Sequence, residues 1–228
     1  MKKLQILVLV GSLLAAQTAF SGERKLVEGA GTLEGGDFAI SLNLGLDYPE
    51  PLIYGLRFDA GIGKRFQLGI GGTAVPIDSD SFLITAGLYS KFNFWRSENE
   101  ANLFSFYFDP FVLLFPDSLF DEDAGQSKTV TLYMLKPGFT FEHLFGEEKR
   151  TSVYLKAGTV HFLAASASGK FVGANFRSGT FAMSVAPGLQ HNFGGTFSVA
   201  LEPKVYIALQ DVDERFGFAG KLALSWTF

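Results

Sequence analysis

Apolar and polar residues alternate along most of the chain from about Gly36 to the C-terminus. In the clearest stretch, residues 38–48, the even positions are Phe, Ile, Leu, Leu, Leu and Tyr, and the odd positions are Ala, Ser, Asn, Gly and Asp. A period of two residues is typical of a β-strand with one apolar face, whereas an amphipathic helix repeats every three to four residues. This stretch is therefore predicted to be a strand.

The same alternation recurs to the end of the chain and predicts ten strands. They cover 38–48, 52–62, a third strand carrying Phe66, Leu68 and Ile70, then 82–94, 103–115, 129–141, 151–162, 180–192, 196–210 and 215–228. The fifth strand changes its apolar face near Asp109 and Pro110, which predicts a bulge. The pattern of the seventh strand leaves its register beyond Thr159 open.

The predicted connections fall into a short set and a long set when they are taken alternately. The short ones are "GK", "RSENEA", "GEEKR" and "NFGG", and the long ones include "AVPIDSDS", "PDSLFDEDAGQS" and "AASASGKFVGANFRSG". Long alternating strands, joined by short turns at one end and by long loops at the other, are typical of transmembrane barrels of the outer-membrane type. The predicted fold is an all-β, transmembrane, antiparallel up-and-down β-barrel of about ten strands, with eight or twelve as the alternatives.

A soluble secreted sandwich or small barrel is the rival fold, because alternation does not say which face meets water. The less apolar face, however, is rich in Gly, Ala, Ser and Thr and sparse in charge, unlike a water-exposed surface. Aromatic residues also gather near both ends of the strands, as the two interfaces of a membrane select. These features favour the membrane barrel, with both chain ends on its periplasmic, short-turn side.

The N-terminal residues have the composition of a secretory signal peptide. Two lysines precede an apolar run from Leu4 to about Ala16, and small residues follow near Ser21. The run falls short of the ~20 residues that a membrane helix needs, which disfavours an uncleaved anchor. The predicted organisation is a signal peptide (1–21), a periplasmic lead-in (22–35), with one more strand as its alternative, and the barrel (36–228).

Composition then narrows the possible functions. Removal of Lys2 and Lys3 with the signal leaves 17 basic against 23 acidic side chains, a net charge of −6, so nucleic acid is not an expected partner. Cysteine is absent, which excludes disulfides and Cys-ligated metals. The chain has 25 phenylalanines and 26 glycines, which favours strands, tight turns and a large aromatic surface.

The last strand ends in an alternating apolar row formed by Leu222, Leu224, Trp226 and Phe228. This row resembles the C-terminal assembly signal of bacterial outer-membrane β-barrel proteins, and the resemblance is to the broad class. It implies a monomer exported to the outer membrane of a Gram-negative-type bacterium. The implied partners are outer-membrane lipid, the barrel assembly machinery and periplasmic chaperones during export.

No catalytic or cofactor motif is evident, so the sequence predicts neither an enzyme nor a cofactor. His143, His161 and His191 are far apart and form no metal-binding motif. The glycines of residues 69–74 match a loose dinucleotide fingerprint, but no helix follows them. A nucleophile elbow is also absent.

Acidic residues concentrate in the predicted long loops: Asp78, Asp80, Asp117, Asp121, Glu122, Asp123, Asp211 and Asp213. The strand number and the paired acids are similar to those of the omptins, the ten-stranded outer-membrane proteases, but an Asp-x-His pair is absent. Solvated loop tips are the expected state. Divalent cations that bridge anionic lipid headgroups are the alternative, because such ions prefer oxygen ligands.

Charged and aromatic side chains on the inner face are predicted to form a polar network in the lumen. Its members are Arg57, Asp59, Glu202, Lys204, Tyr206 and Lys221, with Glu202 and Lys221 opposite one another. A ten-stranded barrel has a narrow bore, and such a network fills it. Pro187 and Pro203 lie level on adjacent strands, where their missing N–H groups either weaken a lateral seam or occupy positions that need no donor.

The sequence therefore predicts a small outer-membrane barrel with a structural or interaction role and a largely plugged polar lumen. A narrow pore for small solutes is the first alternative. An outer-membrane enzyme acting on lipid or peptide is the second.

Overall fold

The computed structural model describes residues 27–48, 52–76, 82–115, 130–167, 170–171, 179–194, 196–209 and 216–228. The predicted signal peptide, 1–21, and the start of the predicted lead-in, 22–26, lie outside the described residues. So do all eight acidic loop residues: Asp78, Asp80, Asp117, Asp121, Glu122, Asp123, Asp211 and Asp213.

In the described residues, eleven strands form one antiparallel sheet. They are β1 (Phe38–Tyr48), β2 (Leu52–Ile62), β3 (Phe66–Pro76), β4 (Phe82–Arg96), β5 (Asn102–Phe115), β6 (Val130–Phe145), β7 (Thr151–Ala167), β8 (Lys170–Phe171), β9 (Gly179–Asn192), β10 (Phe197–Ala208) and β11 (Phe216–Thr227). Ten of them close into a ring, and the two-residue β8 pairs with the tip of β7. The predicted ten-stranded up-and-down barrel is confirmed.

The ring closes where the first strand meets the last. β1 and β11 pair without a break from Ala39 opposite Thr227 to Tyr48 opposite Phe218. The final residue extends this ladder, because Phe228 N donates to Phe38 O (2.7 Å) and Phe38 N donates to Phe228 O (3.0 Å). Neither end strand is therefore left as an unpaired edge.

The outer face of the barrel is apolar and exposed, and the inner face is polar and buried. Phe38, Ile70 and Leu201 on the outside are 59%, 60% and 55% exposed. On the inside, Ser41 and Ser225 are buried and hydrogen-bond each other at 2.8 Å between their Oγ atoms. A wall with this orientation is stable in lipid and not in water, so the barrel spans a membrane.

Among the described residues, no helix is long and apolar enough to cross a membrane.

Aromatic rings pack against one another at the short-turn end of the wall. The ring of Phe104 lies 5.0 Å from that of Phe94 and 6.0 Å from that of Phe139. On the other side of the barrel, Phe197 lies 5.8 Å from Phe193 and 5.3 Å from Trp226. These rings form one of the two aromatic belts that the sequence predicts.

The bulge predicted near Asp109 and Pro110 is wrong. The register of β5 against β6 runs through both residues without a shift. Against β4, residues 108–110 are unpaired, but the register is the same on both sides of this gap, and the register shift lies between Asn93 and Trp95. The apolar pattern changes because Phe111 faces inward, where it packs against Gly87. A Cβ at Gly87 would lie 2.7 Å from that of Phe111.

The register beyond Thr159, which the sequence leaves open, is irregular. The pairing of β7 with β9 shifts between Val160 and His161. The pairing of β7 with β6 shifts at the same height, between Tyr133 and Met134. The long-loop end of the barrel is therefore less regular on this side.

Pro187 and Pro203 face each other across β9 and β10. Leu189 pairs with Leu201 and Val185 pairs with Val205, but the three positions between them on each strand are unpaired. The register is the same on both sides of this gap. The interruption follows from two missing N–H donors at one ladder position, whereas Pro187 and Pro203 remain paired on their other sides, with Leu155 and Gly220.

Candidate functional site: a plugged lumen and a charged chamber

Residues 27–34 run inside the barrel and fill the half of its lumen nearest the short turns. Val27, Ala30 and Leu33 of this plug segment are at most 1% exposed. Val27 and Leu33 pack with Ala39 of the wall, and Ala30 packs with Leu103 and Leu144. This location differs from the periplasmic lead-in that the sequence predicts for residues 22–35.

The N–H groups of the plug segment donate to inward-facing side chains of the wall. These bonds run from Glu28 N (3.1 Å) and Gly29 N (3.3 Å) to Gln190 Oε1, from Gly31 N to Glu142 Oε2 (2.8 Å) and from Leu33 N to Gln67 Oε1 (3.2 Å). Gln67, Glu142 and Gln190 are themselves buried. Their oxygens accept the hydrogen bonds that these backbone N–H groups would form with water in an exposed segment.

The carbonyl groups of the plug segment accept hydrogen bonds from wall side chains. Lys91 Nζ donates to Val27 O (2.8 Å) and to Gly29 O (2.9 Å). Asn93 Nδ2 donates to Ala30 O at 3.2 Å, and Ser105 Oγ donates to the same oxygen. The segment is therefore bound through its backbone on both its donor and its acceptor side.

Two glycines allow the backbones to approach this closely. A Cβ at Gly29 would lie 2.0 Å from Glu142 Oε1, and a Cβ at Gly61 on β2 would lie 1.9 Å from Glu34 O. Any larger residue at Gly61 would overlap the backbone at the end of the plug segment. The fit depends on the missing side chain at both positions.

The carboxylate of Glu28 lies at mid-depth among three cations from three strands. Its oxygens are 2.8 Å from Arg57 Nη2, 2.6 Å from Lys221 Nζ and 3.3 Å from Lys156 Nζ. Burial opposes ionisation of Glu28, but Arg57, Lys221 and Lys156 outweigh burial and hold its pKa well below the usual range. Glu28 is thus a charged anchor for the plug segment.

Two further carboxylates complete what we call the Glu28 cluster, which comprises Glu28, Arg57, Asp59, Lys156, Glu202 and Lys221. Asp59 Oδ2 accepts from Arg57 Nε at 2.6 Å. Glu202 Oε2 lies 2.6 Å from Lys156 Nζ and 3.6 Å from Lys221 Nζ. Three carboxylates and three cations therefore compensate one another within the low-dielectric lumen.

The structure places all six predicted lumen residues on the inner face, along one cavity. Glu202 and Lys221 lie opposite each other in the β10–β11 register. Lys204 instead lies over the ring of Tyr206, 4.4 Å from its centroid, and is not part of the Glu28 cluster. Sequence reasoning missed Glu28, Lys91, Lys136 and Lys156.

This cavity, the chamber, lies above the plug segment on its long-loop side and has a volume of about 280 Å³. Val27 and Glu28 form its floor. Tyr89, Tyr107 and Tyr206 line its wall beside lysines from β6 and β10. Space for the Tyr107 hydroxyl comes from Gly138 and Gly158, where a Cβ would lie 2.2 Å from it.

The remaining predicted sites give no metal centre in the described part of the chain. No group of three or more His, Asp or Glu residues there is arranged to hold an ion. The three histidines have separate partners: His143 pairs with Asn102 (2.7 Å), His161 with Thr159 (2.8 Å) and His191 with Thr151 (2.8 Å).

The four residues of the predicted assembly signal lie on or directly after β11. Leu222 and Leu224 are half-buried, opposite Leu44 and Leu42 of β1. Trp226 is only 6% exposed, because it packs beside Phe197, whereas Phe228 is 54% exposed.

No protein-family model matches the chain, and no curated protein matches it. Similar solved structures include the COG4313 outer-membrane channel of Pseudomonas putida F1, with 8% identity over 90% of this chain and 100% of that one and a TM-score of 0.49. The N-terminal β-barrel domain of Pseudomonas aeruginosa OprF matches with 9% identity over 86% of this chain and 100% of that domain, with a TM-score of 0.37. The transport unit of the autotransporter AIDA-I of Escherichia coli matches with 12% identity over 96% of this chain and 97% of that one, with a TM-score of 0.40.

All three TM-scores lie below 0.5, so the fold assignment rests on the strand pairing and on the exposed faces of the barrel itself. The chain is a closed, ten-stranded transmembrane β-barrel of the bacterial outer-membrane type.

Proposed function

We propose that this protein is a small barrel of the Gram-negative outer membrane whose lumen is closed by its own N-terminal segment, and that its role is structural or interactive. The observation that supports closure most directly is the position of Glu28 among Arg57, Lys156 and Lys221. No catalytic activity is part of this proposal.

The energetics of the plug segment support a closed resting state. Several of its backbone groups and its one buried carboxylate have partners on the wall, so displacing it would expose buried polar groups and separate paired charges. Breaking a buried ion pair by removal of one partner costs about 3–5 kcal/mol. A ten-stranded bore is narrow enough for such a segment to fill.

Conductance in planar lipid bilayers tests the closure. We expect the wild-type barrel to show no discrete current steps and a variant lacking residues 27–34 to show regular steps, because the deletion removes the floor of the chamber. Heat-modifiable gel mobility verifies that both barrels are folded. Equal conductance in the two proteins would contradict the proposal.

A gated pore for small solutes is a second candidate, favoured by how the plug segment is held. The described bonds from the backbone of residues 27–31 and 33 go to side chains and not to the wall ladder. Such contacts can break without opening the barrel. Rare wild-type openings with the same conductance as the deletion variant would favour this second candidate.

The C-terminal row Leu222, Leu224, Trp226 and Phe228 is part of the same proposal. We assign it a role in recognition by the barrel assembly machinery, after chaperone-assisted export across the periplasm. The closure of β1 on β11 through Phe38 and Phe228 supports a role of this end of the chain in assembly.

A further inference from the structure

The charges around the chamber do not balance evenly. Six cationic side chains line it: Arg57, Lys91, Lys136, Lys156, Lys204 and Lys221. Four carboxylates line it: Glu28, Asp59, Asp109 and Glu202. The positions of the pairs decide where the excess positive charge lies.

Most of these groups are already engaged on the plug side of the chamber. The Glu28 cluster pairs three cations with three carboxylates. Lys91 donates to two carbonyl oxygens of the plug segment. Two lysines, Lys136 on β6 and Lys204 on β10, therefore remain, and Asp109 lies opposite Lys136 in the β5–β6 register.

Lys136 and Lys204 line the same chamber from β6 and β10, two strands that β7 and β9 separate in the ring. Within the described residues, neither forms an ion pair within 4.0 Å. Each lies over a tyrosine ring instead: Lys136 is 5.7 Å from the centroid of Tyr107, and Lys204 is 4.4 Å from that of Tyr206. Asp109 accepts from the backbone N–H of Ser90 at 3.1 Å.

Two like charges that share one small, poorly solvated chamber repel each other. A tyrosine ring face offsets part of the charge, but it does not replace a counter-ion. A compact anion placed between the two ammonium groups would turn the repulsion into two charge-assisted hydrogen bonds. The chamber volume of about 280 Å³ is large enough for a phosphate group and a small substituent.

We propose that the chamber binds a compact phosphate-type oxyanion between Lys136 and Lys204, with Tyr107 and Tyr206 beside it. This goes beyond the closure of the lumen and does not depend on whether the barrel conducts. The chemistry fits a free phosphate or the phosphate of a lipid headgroup equally, and the experiment separates these sources.

Isothermal titration calorimetry of the full, folded barrel in non-ionic detergent tests the site. One arm titrates inorganic phosphate, and the other titrates a short-chain phosphatidic acid. We expect saturable binding of one phosphate per barrel in at least one arm. Binding in the first arm identifies a free anion as sufficient, and binding only in the second identifies a lipid headgroup. Binding in neither arm overturns the proposal.

Matched variants localise the binding. Lys136→Met and Lys204→Met should each weaken it by roughly tenfold or more, because each removes one charge-assisted hydrogen bond. Lys64→Met is the control, since Lys64 lies in an exposed turn outside the chamber and should leave affinity unchanged. Equal affinity in all three variants overturns the assignment.

A measurement on the wild-type protein keeps the test independent of variant folding. Reductive methylation followed by mass spectrometry reports the reactivity of each lysine. Phosphate should protect Lys136 and Lys204 and should leave Lys64 as reactive as before. Equal protection of all lysines, or of none, counts against the site.

Discussion

Glu28 Oε2 lies 2.6 Å from Lys221 Nζ, although the two residues are 193 positions apart in the chain. This contact joins the plug segment to the last strand of the barrel. Because Glu28 also contacts Arg57 and Lys156, its removal would leave three cations with less compensation than before.

Glu28→Ala should lower the free energy of unfolding by about 3 kcal/mol, because it leaves buried cations uncompensated. Urea unfolding in lipid vesicles, followed by tryptophan fluorescence, measures the change. Glu34→Ala is the matched control, since Glu34 is an exposed carboxylate at the end of the same segment. An equal loss in both variants would show that Glu28 is not the anchor.

The contribution of Glu28 to the free energy of unfolding should decrease at acidic pH. Its pKa is lower in the folded protein than in the unfolded chain, where a glutamate has a pKa of about 4.3. The stabilisation is therefore complete above that pH and is lost as the pH falls toward the folded pKa. We expect the difference in unfolding free energy between wild type and Glu28→Gln to stay constant from about pH 7 to 5 and to shrink below about pH 4. A difference that grows on acidification would contradict the ion-pair account.

Gly61→Ala should displace the end of the plug segment, because the new Cβ would lie 1.9 Å from Glu34 O, a backbone atom that cannot rotate away. The expected cost is about 1–3 kcal/mol. Gly217→Ala is the control: it is also an inward-facing glycine of a strand, and its Cβ would lie 3.5 Å from Tyr206, an ordinary contact. Limited proteolysis should cut residues 27–34 faster in Gly61→Ala alone. Similar cleavage rates in the two variants would argue against the close fit at Gly61.

Pro203→Val should stabilise the wall, because it returns one N–H donor to the unpaired stretch between β9 and β10. The expected gain is about 1 kcal/mol, the typical net worth of one hydrogen bond. Hydrogen exchange of the amide at position 203 measures the new bond directly. Pro76→Val, at the paired end of β3, serves as the control and should change little. A fast-exchanging amide at position 203 would mean that the gap has another cause.

Deletion of Phe228 should reduce the amount of barrel inserted in the membrane and leave the lumen of each inserted molecule unchanged. The deletion removes the two reciprocal backbone bonds with Phe38. Phe218→Ala removes an outward aromatic residue that is 59% exposed at the other end of the same strand, and it should have a smaller effect. Quantitative immunoblotting of outer-membrane fractions compares the two. Equal yields would exclude a special role for the last residue.

The strands were predictable because their sequence pattern and their environment share one period. Each of the ten wall strands has lipid on one side and a packed polar lumen on the other. Along each strand, from Phe38 onward, the polarity of a residue therefore indicates which face its side chain lies on. The bulge at Asp109 was predicted wrongly for a related reason. Phe111 is an apolar residue that faces the lumen, which a two-sided pattern assigns to the outside.

The plug segment was not predictable from its own residues, because it has no periodicity and is held by contacts far away in the chain. A weaker signal lies on the wall. Gln67, Asn93, Glu142 and Gln190 are inward-facing polar residues near the short-turn ends of four strands, and all four are bonded to the plug segment. Amide and carboxylate groups in a narrow bore require partners, which here are backbone groups.

Glu28 forms ion pairs with Arg57 from the second strand, Lys156 from the seventh and Lys221 from the last. These side chains converge only when β11 has joined β1. A segment that precedes every strand in the chain thus reaches its final contacts after the last strand is in place. Binding of the plug segment in the lumen therefore indicates that the barrel has closed. In a partly closed intermediate, the plug segment would remain unbound.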